Sequence, residues 1–190
     1  MLTIHAPAVG DAVVVEGALV AAIGPYEELA AAYPRARVRQ WPGVLLPGLV
    51  NPYGPELLEQ AYHPDPREAD ELGAEPLLDP AFPVDEARRG ASARRGVQRM
   101  LAHGVVAVAG ELRSRPVVEA VRRSGVSVLP GSARSGTPSL GAGALLPPLR
   151  VGGPATFAVF DVRDEVELAE RGAATCVATV LDGRLVYRAR

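Results

Sequence analysis

Residues 45–55 read LLPGLVNPYGP, and the fold turns on how this stretch divides. Leu45-Leu46 is apolar and runs into Pro47-Gly48. A second apolar pair, Leu49-Val50, then leads into Asn51-Pro52-Tyr53-Gly54-Pro55. Proline and glycine stop strands sharply, so one region closes here and another opens. The stretch has the form of a lead-in to a metal site. Yet positions 53 and 55, where ligands belong, hold a tyrosine and a proline.

On the N-terminal side lie short β-like runs at 2–5, 12–16 and 18–23, separated by Gly10-Asp11 and Glu16-Gly17. Gly24-Pro25 stops the third, and YEELAAAYP reads as a two-turn helix ending before Pro34. ARVRQW alternates and predicts a half-buried strand, with GVLLPG as a further strand. The whole is a small β-domain with one helix inserted.

On the C-terminal side the character changes. Residues 55–86 carry ten acidic residues against one arginine, Arg67, with six prolines. The reading is a short helix at 56–62, a second at 67–72 and otherwise irregular chain. Residues 84–103 predict a long helix, with Ala93, Val97, Met100 and Leu101 on one face and Arg88, Arg95 and Arg99 on another. GVVAVAG, RPVVEAVRRSG and VSVLPG follow as strand, helix and strand, which implies a parallel pair. Residues 131–148 read as a flexible Gly/Ser/Pro-rich connection. ATFAVFDV is a strand, DEVELAERG a helical turn or two, and CVATVLDGRLVYRA a hairpin turning at Asp182-Gly183.

Bulk properties narrow the function classes. The chain has 190 residues, a net charge of -2 and 48% hydrophobic content, enough for a core. This balance argues against nucleic acid as a partner. No run of eighteen apolar residues predicts a membrane span, and the N-terminus lacks the pattern of a secretion signal, so a cytoplasmic location is expected. All twenty basic residues are arginine. Lysine chemistry, such as a Schiff base or a carbamylated metal bridge, is therefore excluded. Cys176 is the single cysteine and cannot form an internal disulfide.

Three segments together resemble the amidohydrolase superfamily, in its imidazolonepropionase and aminodeoxyfutalosine deaminase group. The first is VVVEGALVAAIGPYEELAAAYPRARVRQWPGVLLPGLVNPYG. The second is RRGVQRMLAHGVVAVAG with AVRRSGVSVLPG. The third is LRVGGPATFAVFDV with ATVLDGRLVYR. The resemblance implies an α+β fold. Residues 1–50 and 150–190 would form a composite β-sandwich domain. Residues 51–149 would be an α/β remnant of a (β/α)8 barrel, with a linker at 131–148. A closed barrel needs about 200 residues or more, and fewer than one hundred lie between 51 and 149.

The resemblance also implies a divalent metal that activates water, held first by a His-x-His pair after the opening strand. In the matching frame Asn51 replaces an aspartate, and Tyr53 and Pro55 replace the histidines. No catalytic residue, metal ligand or cofactor is carried over. Asn51, Tyr53, His63 and His103 remain as candidate ligand-binding residues.

Other polar groups have competing readings. His5 reads as an edge or surface histidine. His63 and Asp65 in YHPDP are either a solvated loop or a metal-touching pair, and His103 reads as a helix C-terminal residue. Cys176 reads as a small buried hydrophobe. Ser132, Ser135 and Ser139 lack a nucleophile-elbow motif. GSARSG, with Arg134, is a linker or an anion cradle. The arginine stripe is a solvated face, a partner for the acidic 55–86 segment, or a site for phosphate or an acidic protein.

The leading expectation is a catalytically inactive amidohydrolase-like protein with a binding or interaction role. It would self-associate as a homodimer or bind an unidentified protein. The alternatives are a hydrolase or deaminase-type enzyme or subunit acting on non-peptide carbon–nitrogen bonds, and a binder of nucleoside- or imidazole-like ligands at the junction of β-domain and barrel remnant.

Overall fold

The computed structural model describes residues 2–131 and 136–189. Its strands are β1 (Leu2–Val9), β2 (Ala12–Glu16), β3 (Leu19–Gly24), β4 (Arg37–Pro47), β5 (Leu49–Asn51), β6 (Val105–Ala109), β7 (Ser127–Leu129), β8 (Ala144–Leu145), β9 (Phe157–Phe160), β10 (Cys176–Leu181) and β11 (Arg184–Arg188). Its α-helices are α1 (Tyr26–Ala32), α2 (Ala69–Leu72), α3 (Glu86–Leu101), α4 (Arg115–Ser124) and α5 (Glu165–Arg171). The fold is mixed α+β. Among the described residues no helix is long and apolar enough to cross a membrane.

The chain divides into two compact units. The first comprises Met1–Leu49, Leu101–Val106 and Leu145–Arg190, and the second Val50–Met100 and Ala107–Ala144. In the first unit one seven-stranded sheet has the order β11-β10-β9-β4-β1-β2-β3, so strands from both ends of the chain share it. The sheet is single and curled, where two stacked sheets were expected. Val13, Val15 and Val20 near one end of the strand order share a core cluster with Phe157 and Val180 near the other. Gly152 and Gly153 exchange backbone bonds with Val20 of β3, which holds the curl.

ARVRQW and GVLLP, expected as two strands, form one eleven-residue strand. The first half of β4 pairs parallel with β1, and its second half pairs antiparallel with β9. The change occurs at Gly43, whose φ is +64°. A Cβ there would run into the Phe160 carbonyl, so glycine permits both the bend and the close approach.

β1 lies between β4 and β2, and both its faces are covered. Alternate residues face opposite ways. Ile4 and Ala6 pack with Val14 and with Leu29 of α1. His5, on the other face, is 2% exposed, stacks at 6.0 Å on Trp41 and meets Phe157 edge-on at 5.0 Å. The expected edge or surface histidine is thus an interior one, because a parallel neighbour, β4, covers the side that local sequence leaves open.

In the second unit α3 buries Ala93, Val97 and Met100, the face read from the sequence. Asp85 starts it by accepting the Arg88 amide at 2.8 Å. β6 and β7 run parallel in a four-stranded sheet of order β7-β6-β5-β8, where β7 is an edge. The helix expected at 56–62 is a single π-helical turn, Glu56–Gln60. The helix expected at 67–72 is a 3-10 turn, Pro66–Glu68, running into α2. Ser132, Arg134 and Ser135 of the expected anion cradle lie outside the described residues.

Candidate functional site

β5 ends at Asn51, which is fully buried. Its amide nitrogen Nδ2 donates to the carbonyls of Ser139 at 2.8 Å and Leu140 at 3.1 Å. Its Oδ1 accepts the Tyr53 backbone N–H at 2.9 Å. Each side-chain group of Asn51 is therefore spent on the polypeptide. The connection expected to be flexible is pinned here, through two of its carbonyls. Gly54 lets the chain pass close to β6, since a Cβ there would press on the Ala109 carbonyl. Tyr53 is 9% exposed, and its hydroxyl lies where a Cβ on Gly136 would need space.

His63 follows the π-helical turn and is 0% exposed. Its backbone N–H donates to Ser92 Oγ at 2.8 Å, and its Nε2 lies 2.7 Å from the Leu57 carbonyl. Burial lowers its pKa; the Leu57 bond opposes this, while Arg99 and Arg95 add to it. The ring is therefore neutral near pH 7, with the proton on Nε2 donated to Leu57. Among the described residues Nδ1 is left as a buried acceptor with no partner. Gly96 of α3 makes this packing possible, because a Cβ would come within 2.6 Å of Nε2.

Beside His63 the acidic segment lies against the arginine face of α3. Glu68 accepts three bonds: from the Tyr62 hydroxyl at 2.6 Å, the Asp65 amide at 2.9 Å and Arg88 at 2.8 Å. The Tyr62 and Asp65 donors hold the Glu68 carboxyl below its usual range, and burial with the Glu68 bond raises the Tyr62 phenol. Arg88 also sits 5.2 Å from the ring centres of both Tyr62 and Phe82. Arg95 donates to the His63 carbonyl at 2.8 Å and pairs with Asp65 at 3.4 Å. Arg99 reaches the Ala74 carbonyl at 2.7 Å and Glu75 at 3.1 Å. Of the readings open for the arginine stripe, the structure selects pairing with the 55–86 segment. Asp65-Pro66-Arg67-Glu68 forms a capping box, whose spacing of Asp and Glu is legible in the sequence. Glu59 Oε1 accepts the amides of Arg113 and Ser114, at 2.6 and 2.5 Å, and so caps α4 from a distance in sequence that no local motif signals.

Asn51 and Tyr53 are thus brought together, and His63 has a separate environment within the same unit. His103 lies in the turn between α3 and β6, in the first unit. Cys176 is 3% exposed, and burial pushes its thiol up to about 11, so it is a poor nucleophile near neutral pH.

The metal implied by the resemblance does not fit these residues. The Pro55 side chain has no donor atom, the Asn51 side chain is committed to backbone groups, and Tyr53 is packed under the chain at Gly136. Among the described residues no three His, Cys, Asp or Glu side chains group as a metal site would require.

Residues 12–36 match the family model "Imidazolonepropionase-like composite domain, bacteria". No curated protein sequence matches the chain. Solved structures similar to it include A. niger ochratoxinase, at 17% identity over 68% of this chain and 30% of that one, with a TM-score of 0.44. Guanine deaminase from Bradyrhizobium japonicum is similar at 20% identity over 62% of this chain and 27% of that one, TM-score 0.42. Helicobacter pylori aminofutalosine deaminase is similar at 18% identity over 71% and 35%, TM-score 0.43. The chain spans about a third of the length of these structures. The match to an imidazolonepropionase-like composite domain is thus confined to the segment from Ala12 to Ala36, which runs from β2 through β3 and α1 to the residue before β4.

Proposed function

We propose that this protein is a catalytically silent member of its family, a pseudoenzyme whose composite domain and barrel remnant serve binding or interaction. The observation that carries this reading is the state of Asn51. The residue at the head of the ligand frame is fully buried and bonded to Ser139, Leu140 and Tyr53, so the frame works as a structural clamp. A clamp of this kind holds a strand end shut, whereas a hydrolytic site needs an open position for water and substrate.

The interaction partner in this reading is a second copy of the chain. Among the described residues β7 is a sheet edge, with no strand paired to its outer side. Next to it, an apolar groove of about 530 Å³ is lined in part by Leu112, Val118 and Leu129. Val118 and Val128 are 41% and 47% exposed, more than an isolated parallel edge tolerates well.

Turnover assays with guanine, adenosine and a cyclic imidazolone, each with added zinc, test the first part. The expected result is no turnover above the uncatalysed rate; turnover lost in a Tyr53→Ala variant would overturn it. Sedimentation equilibrium tests the second. A dimer at micromolar concentration that a Val128→Lys variant dissociates is expected, and a monomer throughout would overturn it.

A further inference from the structure

The first unit contains an apolar cleft of about 410 Å³ that the reading above does not use. Ile23 of β3 and Leu45 of β4 line it from the sheet, and Leu146 and Leu149 line it from the chain that follows β8. That chain is fixed at both ends. The Leu146 amide donates to the Gly48 carbonyl at 2.9 Å, and Leu149 packs against the core cluster of Val13 and Phe157. Pro147 and Pro148 lie between, with restricted φ and no N–H to satisfy, so the wall is stiff and the cleft preformed. Its volume and mostly apolar lining are those of a small-molecule site.

The polar groups on the lining are of one sign. Asp11 comes from the turn between β1 and β2, and Glu165 from the start of α5; no lining residue is basic. Among the described residues neither carboxylate has a hydrogen-bond or ion-pair partner. The arginines flanking Glu165 in sequence, Arg163 and Arg171, are both held by Glu167, at 2.9 and 3.2 Å. The cleft therefore combines leucine and isoleucine walls with two uncompensated negative charges.

The geometry points to a binding site for a small organic cation: an ammonium group carried on an apolar chain or ring. The apolar part occupies the space between Leu45 and Leu149, and the ammonium lies with Asp11 and Glu165. An anion meets two uncompensated carboxylates, and a neutral apolar molecule leaves both without a partner. This inference is independent of the proposed pseudoenzyme role, since it uses no residue of the second unit.

Titration of the full chain with hexylammonium, hexanol and hexanoate, followed by amide chemical shifts at low salt, tests it. Hexylammonium is expected to bind saturably, shifting the amides of Asp11, Ile23, Leu146 and Glu165, and hexanoate to leave them unmoved. Two exposed charge pairs set the expected loss in an Asp11→Asn/Glu165→Gln variant at about tenfold in affinity. Both positions are exposed and without partners, so an unchanged circular dichroism spectrum is expected and separates lost binding from lost fold. Binding of hexanol or hexanoate as tight as that of hexylammonium, full affinity in the double variant, or no shift at these amides at millimolar probe would each overturn the proposal.

Discussion

The indole N–H of Trp41 donates to Nδ1 of His5 at 3.2 Å, a bond between buried side chains on neighbouring strands, 36 residues apart in sequence. It sets the tautomer of His5, because Nδ1 must carry the lone pair and Nε2 the proton. Burial first, and Arg39 second, lower the His5 pKa from 6.5 to about 4.

That shift makes stability pH-dependent. Between pH 6.5 and about 4 the unfolded chain binds a proton at His5 that the folded chain excludes. Stability is therefore fully present above pH 6.5 and is lost as pH falls through this window, by roughly 3 kcal/mol in all. His63, also lowered, adds to the loss in the same direction. Urea denaturation read by Trp41, the only tryptophan, checks this from pH 7 to pH 4. A His5→Gln variant, which keeps an acceptor for the indole, should show a visibly flatter profile; a profile parallel to that of the parent would contradict the burial of His5.

Asn51 makes the next test. Asn51→Ala strands the Tyr53 amide and deprives the Ser139 and Leu140 carbonyls of their donor, at a cost of roughly 3 kcal/mol. Asn51→Asp keeps the shape of the side chain, yet it sets a carboxylate against two carbonyl oxygens. It should be no more stable than the alanine variant near pH 7, and the denaturation midpoint measures this. An Asp variant as stable as the parent would mean that the clamp is not the role of Asn51.

Gly96 sits in the interior of α3, where replacing glycine by alanine ordinarily stabilises a helix by about 1 kcal/mol. Here the new methyl meets the His63 ring and a Leu58 methyl group at 3.0 Å. Gly96→Ala should therefore destabilise. A gain in melting temperature would show that His63 does not pack against this turn of α3.

The contact between the acidic segment and α3 predicts coupling among Tyr62, Glu68 and Arg88. A double-mutant cycle of Tyr62→Phe and Arg88→Gln should give a non-zero interaction that weakens as salt is added, because Glu68 joins the two through charge-assisted bonds. Strict additivity at low salt would place the segment elsewhere.

Local rules made much of this legible in the sequence. Asp182 and Gly183 take positive φ, +45° and +74°, as their pairing between two alternating runs requires, and the α3 face at Ala93, Val97 and Met100 follows from helical spacing. What escaped was set by distant partners. Pro42-Gly43 reads as a strand break, but β9 supplies a second partner that carries β4 through it. His5 reads as exposed until β4 covers it. The sign of the 55–86 segment was plain, but which acid meets which arginine depends on a π-helical turn and a 3-10 turn that have no strong sequence signature. Asn51 stood out by position, although its partners, Ser139 and Leu140, lie 88 and 89 residues away.

In the proposed role the frame from Asn51 to Pro55 closes a strand rather than opening a metal site. Metal content of untagged protein, measured by inductively coupled plasma mass spectrometry after equilibration with zinc and gel filtration, tests it most directly. Zinc far below one ion per chain, unaffected by Tyr53→Phe, is expected. One tightly held zinc per chain, lost in that variant, would contradict it.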